Sequence, residues 1–226
     1  MKISILTLFP DMFRGPFDHS IVKRAADKKL VTIDLVNVRD FAQDRYKTVD
    51  GRPYGGGAGM ILRVDVVDRA LQSVSASARQ RKILLDPGGT PYTQKKAREL
   101  SKFDHLIIVC GHYEGVDERI RSLVDEEISI GDYILTGGEI PAMVVVDSVV
   151  RLLSGVLTKP DATVNESFTQ QLLEYPQFTE PREYKGMRVP EVLVSGNHKR
   201  IAAWQKEQAL KRTGEQRADL LTRLTG

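Results

Sequence analysis

Ser129–Glu139 reads SIGDYILTGGE, and its reading decides what kind of fold the chain adopts. Ile128 and Ile130 close a short apolar strand, Gly131 and Asp132 turn the chain, and Gly137 and Gly138 turn it again before a helix expected to begin near Glu139. Glycine tolerates positive φ and has no Cβ, so a ligand can approach the peptide groups of such a loop directly. Backbone donors and acceptors would then do the recognising. Taken alone, the stretch fits an ordinary tight strand-to-helix connection equally well.

Two other glycine-bearing loops follow apolar strands. RKILLD at 81–86 leads into Pro87-Gly88-Gly89, and HLIIVC at 105–110 leads into GHYEG at 111–115. KISILTLF at 2–9 and VTIDLVNV at 31–38 are two further strands, with a helix between them over 19–30. Helices also fit 64–79, 92–101, 116–124 and 138–153. Continuous rather than alternating apolar strands, separated by helices, predict an α/β fold: a mostly parallel sheet with helices on both faces. Ligands of such sheets bind beyond the carboxyl ends of the strands. DPGG, GHYEG and IGDYILTGG all fall at that edge.

Size and charge bound the function. A chain of 226 residues can bury a real core and suits one domain, or one domain with a small appendage. No apolar run approaches bilayer-spanning length, and MKISILTLFPDMF lacks the cleavage pattern of a signal peptide, so a cytoplasmic location without a membrane partner is expected. A single cysteine, Cys110, cannot form an internal disulfide, and histidines at 19, 105, 112 and 198 have no zinc-ligand spacing. The net charge of +3 is unevenly placed: residues 176–226 hold ten Lys and Arg against six Asp and Glu. That excess hints at a polyanionic partner, although a solvated helix face would look the same.

Residues 40–60, DFAQDRYKTVDGRPYGGGAGM, form a long connection without periodicity, the kind that is usually functional or mobile. GRPYGGGAGM lacks the Gly-Lys-Ser/Thr ending of a phosphate loop, and nothing of the form GxGxxG opens a helix after the first strand. ATPase and dinucleotide readings are weakened accordingly, while Arg45, Lys47 and Arg52 remain able to meet phosphates. KPDATVNESFTQQ, from Lys159, reads as a polar linker. Residues 1–159 are therefore expected to form the main body, 160–175 a flexible linker and 176–226 a small helical domain. In that last part Asn197 can cap a helix whose apolar face carries Ile201, Trp204, Gln208 and Leu210, with Lys199, Arg200, Lys206, Lys211 and Arg212 on its other sides.

GRPYGGGAGM at 51–60, CGHYEGVDERI at 110–120, SIGDYILTGGE at 129–139, DSVVRLLSGVL at 147–157 and LVSGNH at 193–198 together give the chain its family resemblance. It resembles, over essentially its whole length and in the same order, the bacterial tRNA (guanine-N1)-methyltransferase (TrmD) family. The resemblance implies methyl transfer from S-adenosylmethionine to N1 of the guanosine immediately 3′ of the anticodon. It implies tRNA, through its anticodon arm, as partner and a homodimer with each active site at the subunit boundary, and it adds Mg2+ as a candidate ion. It also implies a SPOUT-type catalytic domain containing a trefoil knot, with 176–226 as the tRNA-binding domain. Periodicity alone points instead to an unknotted doubly wound sheet, since knots are rare.

Carried over position by position, the resemblance implies a cofactor site built from Ile130, Gly131, Asp132, Tyr133, Ile134 and Leu135, with Gly137 and Gly138 behind them. Gly111, Tyr113, Glu114 and Gly115 form a second wall, and Pro87, Gly88 and Gly89 a third. N1 of neutral guanine bears a hydrogen, so a base must remove it, and a cation aimed at O6 would hold the charge that develops there. The resemblance assigns these tasks to Glu166 and Arg151. Glu166 stands where the family pattern has aspartate before Ser-Phe, His112 where arginine is common, and Asp86-Pro87-Gly88-Gly89 where Ser-Pro-Gln-Gly is common. Two other readings stay in view: a catalytically silent RNA-binding protein of the same fold, and a small-molecule nucleotide enzyme.

Overall fold

The computed structural model describes residues 1–74, 76–159, 163 and 166–222, arranged as two compact units, Met1–Thr158 and Lys159–Gly226. Within the first unit, the elements in chain order are β1 (Lys2–Thr7), α1 (Ser20–Asp27), β2 (Thr32–Asn37), the short pair β3 (Asp50–Gly51) and β4 (Ile61–Leu62), α2 (Val64–Ser73), β5 (Gln80–Pro91), α3 (Gln94–Leu100), β6 (His105–Cys110), β7 (Glu126–Ser129) and α4 (Glu139–Val150). Five strands make one sheet in the order β2-β1-β6-β5-β7, and every pair is parallel.

Alternation along the strands feeds two cores. Ile3, Ile5, Ile83, Leu85, Leu106 and Ile108 pack beneath α1, α3 and α4, together with Val22, Ala25, Leu100, Val145 and Val149. Leu6, Leu84, Ile107 and Val109 face the other way, onto Val66, Val67, Ala70 and Leu71 of α2. The central strands are therefore buried on both faces, as continuous apolar strands require, while β2 stays partly exposed at the edge. The edge cluster of Glu126 with Arg81 and Lys96, each at 2.8 Å, ties β5, β7 and α3 together.

Several boundaries depart from the sequence reading. β5 does not end at Asp86. It runs to Pro91, and Ile128 of β7 pairs with both Leu85 and Thr90, so Asp86–Gly89 form an irregularity inside a continuing strand. The helix expected over 64–79 stops at Ser73, whose hydroxyl donates to the Ala70 carbonyl at 2.7 Å. Residues 118–123 form 3-10 turns instead of an α-helix, opened by Asp117, whose side chain accepts the Arg119 N–H. The 40–60 connection is partly structured: Lys47 pairs with Asp40 at 2.9 Å, and β3 pairs with β4.

The second unit contains a hairpin of β8 (Glu183–Tyr184) and β9 (Met187–Arg188), the long helix α5 (His198–Gln216) and the short α6 (Ala218–Thr222). The sequence reading did not find the hairpin, whose turn is Lys185-Gly186 with φ of 51° and 80°. Two successive residues at positive φ are what a two-residue hairpin turn demands. Asn197 caps α5 as expected, accepting the Arg200 N–H at 3.1 Å. Leu210 is exposed and not on the inward face, which is completed by buried Ala209 and Thr213 instead. Trp204 is half-buried with its ring 6.5 Å from Phe178. Of the expected linker 160–175, residues 160–162, 164 and 165 lie outside the described residues. No helix among the described residues is long and apolar enough to cross a membrane.

Candidate functional site

The carboxyl ends of β5, β6 and β7 open into a cleft of about 350 Å³. Its walls are Leu85–Pro87 after β5, Gly111–Val116 after β6, and Ile128–Gly131 with Tyr133–Gly138 after β7, closed by Pro141 on α4. The loops touch backbone to backbone. Gly138 N–H donates to the Gly111 carbonyl at 2.7 Å, and His112 bridges Gly137 in antiparallel fashion. A Cβ on Gly138 would lie 2.7 Å from Cys110 Cα, and one on Gly89 would lie 2.5 Å from Ile128 N. Side chains at these two positions would force the loops apart, because real Cβ atoms do not approach backbone so closely.

The 111–117 loop is pinned from its other side as well. Glu114 N–H donates to the Met60 carbonyl, Leu62 N–H to the Gly115 carbonyl and Asp117 N–H to the Leu62 carbonyl, each at 3.0 Å. The glycine-rich 51–60 stretch therefore ends against the cleft loop. Tyr113 has φ of 63° and Gly131 φ of 153°, so two of the turns that line the cleft use left-handed backbone. At the start of α4, Pro141 falls in the first turn, where a missing N–H leaves no helical bond unmade.

Of the residues expected to hold a cofactor, Pro87, Gly111, Tyr113, Glu114, Gly115, Ile130, Gly131, Tyr133, Ile134, Leu135, Gly137 and Gly138 line this one cleft. Gly88, Gly89 and Asp132 do not line it. Gly89 instead serves the crossing of β5 with β7, and Gly88 N–H donates to Asp86 Oδ1 at 2.8 Å. Sequence reasoning missed Leu85, Ile128, Thr136 and Pro141 as wall residues. Their apolar or small character carries no chemical signature, and only position at the strand ends could have found them.

A buried polar group lies beneath the cleft. Glu139 is 1% exposed at the first position of α4, where the helix dipole favours a carboxylate, and it accepts the Thr7 hydroxyl at 2.8 Å. Cys110 is buried beside it. Burial first, and the Glu139 carboxylate second, push the Cys110 thiol well above its ordinary range, so it stays protonated.

Arg151 is the C-terminal cap residue of α4, its N–H donating to the Asp147 carbonyl at 3.2 Å. Twelve residues at 1.5 Å each put it about 18 Å along the helix from the end that walls the cleft. Glu166 belongs to the second unit, where it borders a groove of about 320 Å³ with Leu172, Leu173, Tyr175, Gln205 and Lys206 among its other walls. The turn carrying it is anchored: Leu173 N–H donates to the buried Thr213 hydroxyl at 2.9 Å, Glu174 N–H to Ser167 Oγ at 3.0 Å, and the Arg217 guanidinium lies 5.9 Å from the Phe168 ring centre. The structure thus gathers most of the expected cofactor residues and leaves each expected catalytic residue on a different element.

Residues 1–223 match the family model described as tRNA (Guanine-1)-methyltransferase TrmD. The chain is 55% identical over 221 residues to a tRNA (guanine-N(1)-)-methyltransferase of Dictyoglomus turgidum, an alignment covering 98% of this chain and 90% of that protein. It is 56% identical over 223 residues to the enzyme of the same name from Geobacillus kaustophilus, covering 98% and 91%. A third such protein, from Carboxydothermus hydrogenoformans, is 55% identical over 222 residues, covering 98% and 87%.

Proposed function

The chain belongs to the tRNA (guanine-1)-methyltransferase family, and from that premise we propose how it methylates guanine in tRNA: at N1 of the guanosine immediately 3′ of the anticodon, with S-adenosylmethionine as donor. The observation that carries the proposal is the cleft whose three walls meet through backbone, Gly138 N–H to Gly111 carbonyl at 2.7 Å. A mostly apolar cleft of about 350 Å³ with peptide groups along its rim suits a small organic ligand. Leu135, Ile134 and Tyr133 offer apolar cover, and the backbone of Gly111–Gly115 offers donors and acceptors. Bound there, S-adenosylmethionine supplies an electrophilic methyl group. The tight crossing of the 86–89, 111–115 and 130–138 segments is also what a SPOUT-type trefoil knot would need.

The chain's own residues prepare the nucleophile. The Glu166 carboxylate takes the proton from guanine N1, and the Arg151 guanidinium holds the negative charge that moves onto O6. Glutamate reaches one methylene further than aspartate, and the anchoring of its turn by Thr213 and Arg217 limits where that reach ends. Arg151 stands about 18 Å along α4 from its own cleft, which supports a site completed by a second copy of the chain. A homodimer also accounts for the exposed apolar side chains Ile140 (48%) and Val144 (41%) on α4.

Lys199, Arg200, Lys206 and Lys211 are exposed on α5, a surface suited to tRNA phosphates in the anticodon arm. On this reading residues 1–159 are the catalytic domain, 160–175 the linker and 176–226 the tRNA-binding domain, in a cytoplasmic enzyme. Mg2+ finds no group of three or more His, Cys, Asp or Glu suited to hold it among the described residues, and no step is assigned to it. The test is transfer of labelled methyl to unmodified tRNA, compared with the same tRNA carrying adenosine in place of the target guanosine. N1-methylguanosine in the first alone supports the proposal, and equal labelling of both overturns it.

A further inference from the structure

Three polar side chains at and beneath the cleft have no part in the chemistry above. Thr7 is fully buried and donates to Glu139 Oε1 at 2.8 Å. The same hydroxyl accepts the Phe9 backbone N–H at 2.9 Å, and its single proton is committed to the carboxylate. The second carboxylate oxygen, Oε2, stands 3.7 Å from His112 Nδ1, and Nδ1 is buried with no hydrogen-bond partner among the described residues. Buried polar atoms in folded proteins are nearly always paired, so this gap is one that a shift of under about 1 Å would close. The ring is otherwise fixed by Phe9 and Tyr113, whose centres lie 4.8 Å and 5.0 Å away. Its Nδ1 and Cε1 atoms occupy the place a Cβ on Gly137 would fill, at 2.5 Å and 3.2 Å. His112 lines the cleft with its side chain 20% exposed.

We propose that Glu139, held by Thr7, is a positioning residue that keeps His112 in its Nδ1–H tautomer, leaving Nε2 as a hydrogen-bond acceptor toward an amine or hydroxyl group of the bound methyl donor. The proposal rests on the reading of the cleft as the S-adenosylmethionine site. A carboxylate accepts only, so it demands the proton on Nδ1, and a neutral imidazole then carries a lone pair on Nε2. Glu139→Gln reverses the demand. The Thr7 proton keeps the amide oxygen, the amide NH2 turns to Nδ1, and the ring proton must move to Nε2. The cleft then meets a donor where it had an acceptor, although the size of residue 139 is unchanged.

The test uses full-length protein with labelled histidine, above the pH range in which an ordinary histidine titrates. Long-range proton–nitrogen spectra, with the His112 signals identified by their loss in His112→Asn, should show the Nδ1–H tautomer in the wild type and the Nε2–H tautomer in Glu139→Gln. Calorimetry with S-adenosylhomocysteine should show affinity falling about tenfold, the worth of one hydrogen bond, in Glu139→Gln. In His112→Asn the side-chain amide nitrogen replaces Nδ1 and keeps the bond to Glu139, but nothing replaces Nε2. It should stay folded, losing only the ring contacts with Phe9 and Tyr113, and bind about tenfold more weakly, which keeps the proposal testable if Glu139→Gln does not fold. Unchanged tautomer in Glu139→Gln, or wild-type affinity in either variant, overturns the inference. A wild type that does not bind S-adenosylhomocysteine overturns the cofactor reading beneath it.

Discussion

Gly138→Ala isolates the physical requirement of the cleft. Gly138 has φ of −80° and ψ of −3°, a conformation alanine adopts without strain, so the whole effect of substitution is contact. The added Cβ would stand 2.7 Å from Cys110 Cα and 2.9 Å from Gly111 N. Both are backbone atoms at the end of a central strand and cannot swing away. Relief requires the 137–138 segment to retreat by about 1 Å, stretching the 2.7 Å hydrogen bond from Gly138 N–H to the Gly111 carbonyl. Overpacking of this kind costs about 1–3 kcal/mol and the weakened bond about 0.5–1.5 kcal/mol. For a chain of 226 residues that lowers Tm by about 3–18 °C. S-adenosylhomocysteine affinity should fall with it, because two cleft walls have moved. Gly88→Ala is the milder comparison, since its Cβ would meet only the Asp86 carboxylate oxygen at 3.2 Å, a side-chain atom that can give by a few tenths of an ångström while still accepting the Gly88 N–H. Scanning calorimetry and ligand titration of both variants decide the matter. A Gly138→Ala protein that melts within about 1 °C of the wild type and binds normally would refute the argument that the crossing loops need a glycine there.

Three further outcomes follow from particular contacts. For Glu126, burial raises the carboxyl pKa, but hydrogen bonds from Arg81 and Lys96 outweigh it and hold the group below its ordinary value of 4.5. A pKa depressed by folding stabilises above the unfolded value and is lost as pH falls through the folded one. Glu126→Gln should therefore cost about 1–2 kcal/mol at neutral pH, and urea titrations should show the difference from the wild type shrinking below about pH 4. Thr213→Val removes the acceptor of Leu173 N–H, leaving a partly buried donor unpaired; a loss of about 1 kcal/mol in urea titrations and faster proteolysis near 166–173 are expected. Arg151→Ala should slow methyl transfer about a hundredfold in single-turnover assays while cofactor affinity measured by calorimetry stays unchanged.

The parallel sheet was legible because its strands are apolar on both faces: HLIIVC at 105–110 is a strand over its full length, every residue buried. The start of α4 was legible from two glycines followed by an apolar run, and Asn197 from its capping chemistry. β5 was misread because Gly88 and Gly89 look like a chain reversal, whereas Gly89 permits contact with Ile128 inside a continuing strand. The hairpin at 183–188 was hidden by strands of two residues each, too short for alternation to show. The convergence of three loops at the strand ends was legible from their position, but the proximity of Thr7, Glu139 and His112 was not. Thr7 is more than a hundred positions from either of the other two, and each of the three has an ordinary local role. Only three-dimensional neighbourhood makes a glutamate at a helix start into a buried partner for a cleft histidine.

The most direct measurement is the single-turnover rate of N1-methylguanosine formation by wild type and Glu166→Gln, with enzyme, cofactor and unmodified tRNA at saturating concentrations. The account predicts product from the wild type and a rate at least about a hundredfold lower for Glu166→Gln, with S-adenosylhomocysteine affinity unchanged. Equal rates would contradict it, since guanine N1 would then be losing its proton without the carboxylate.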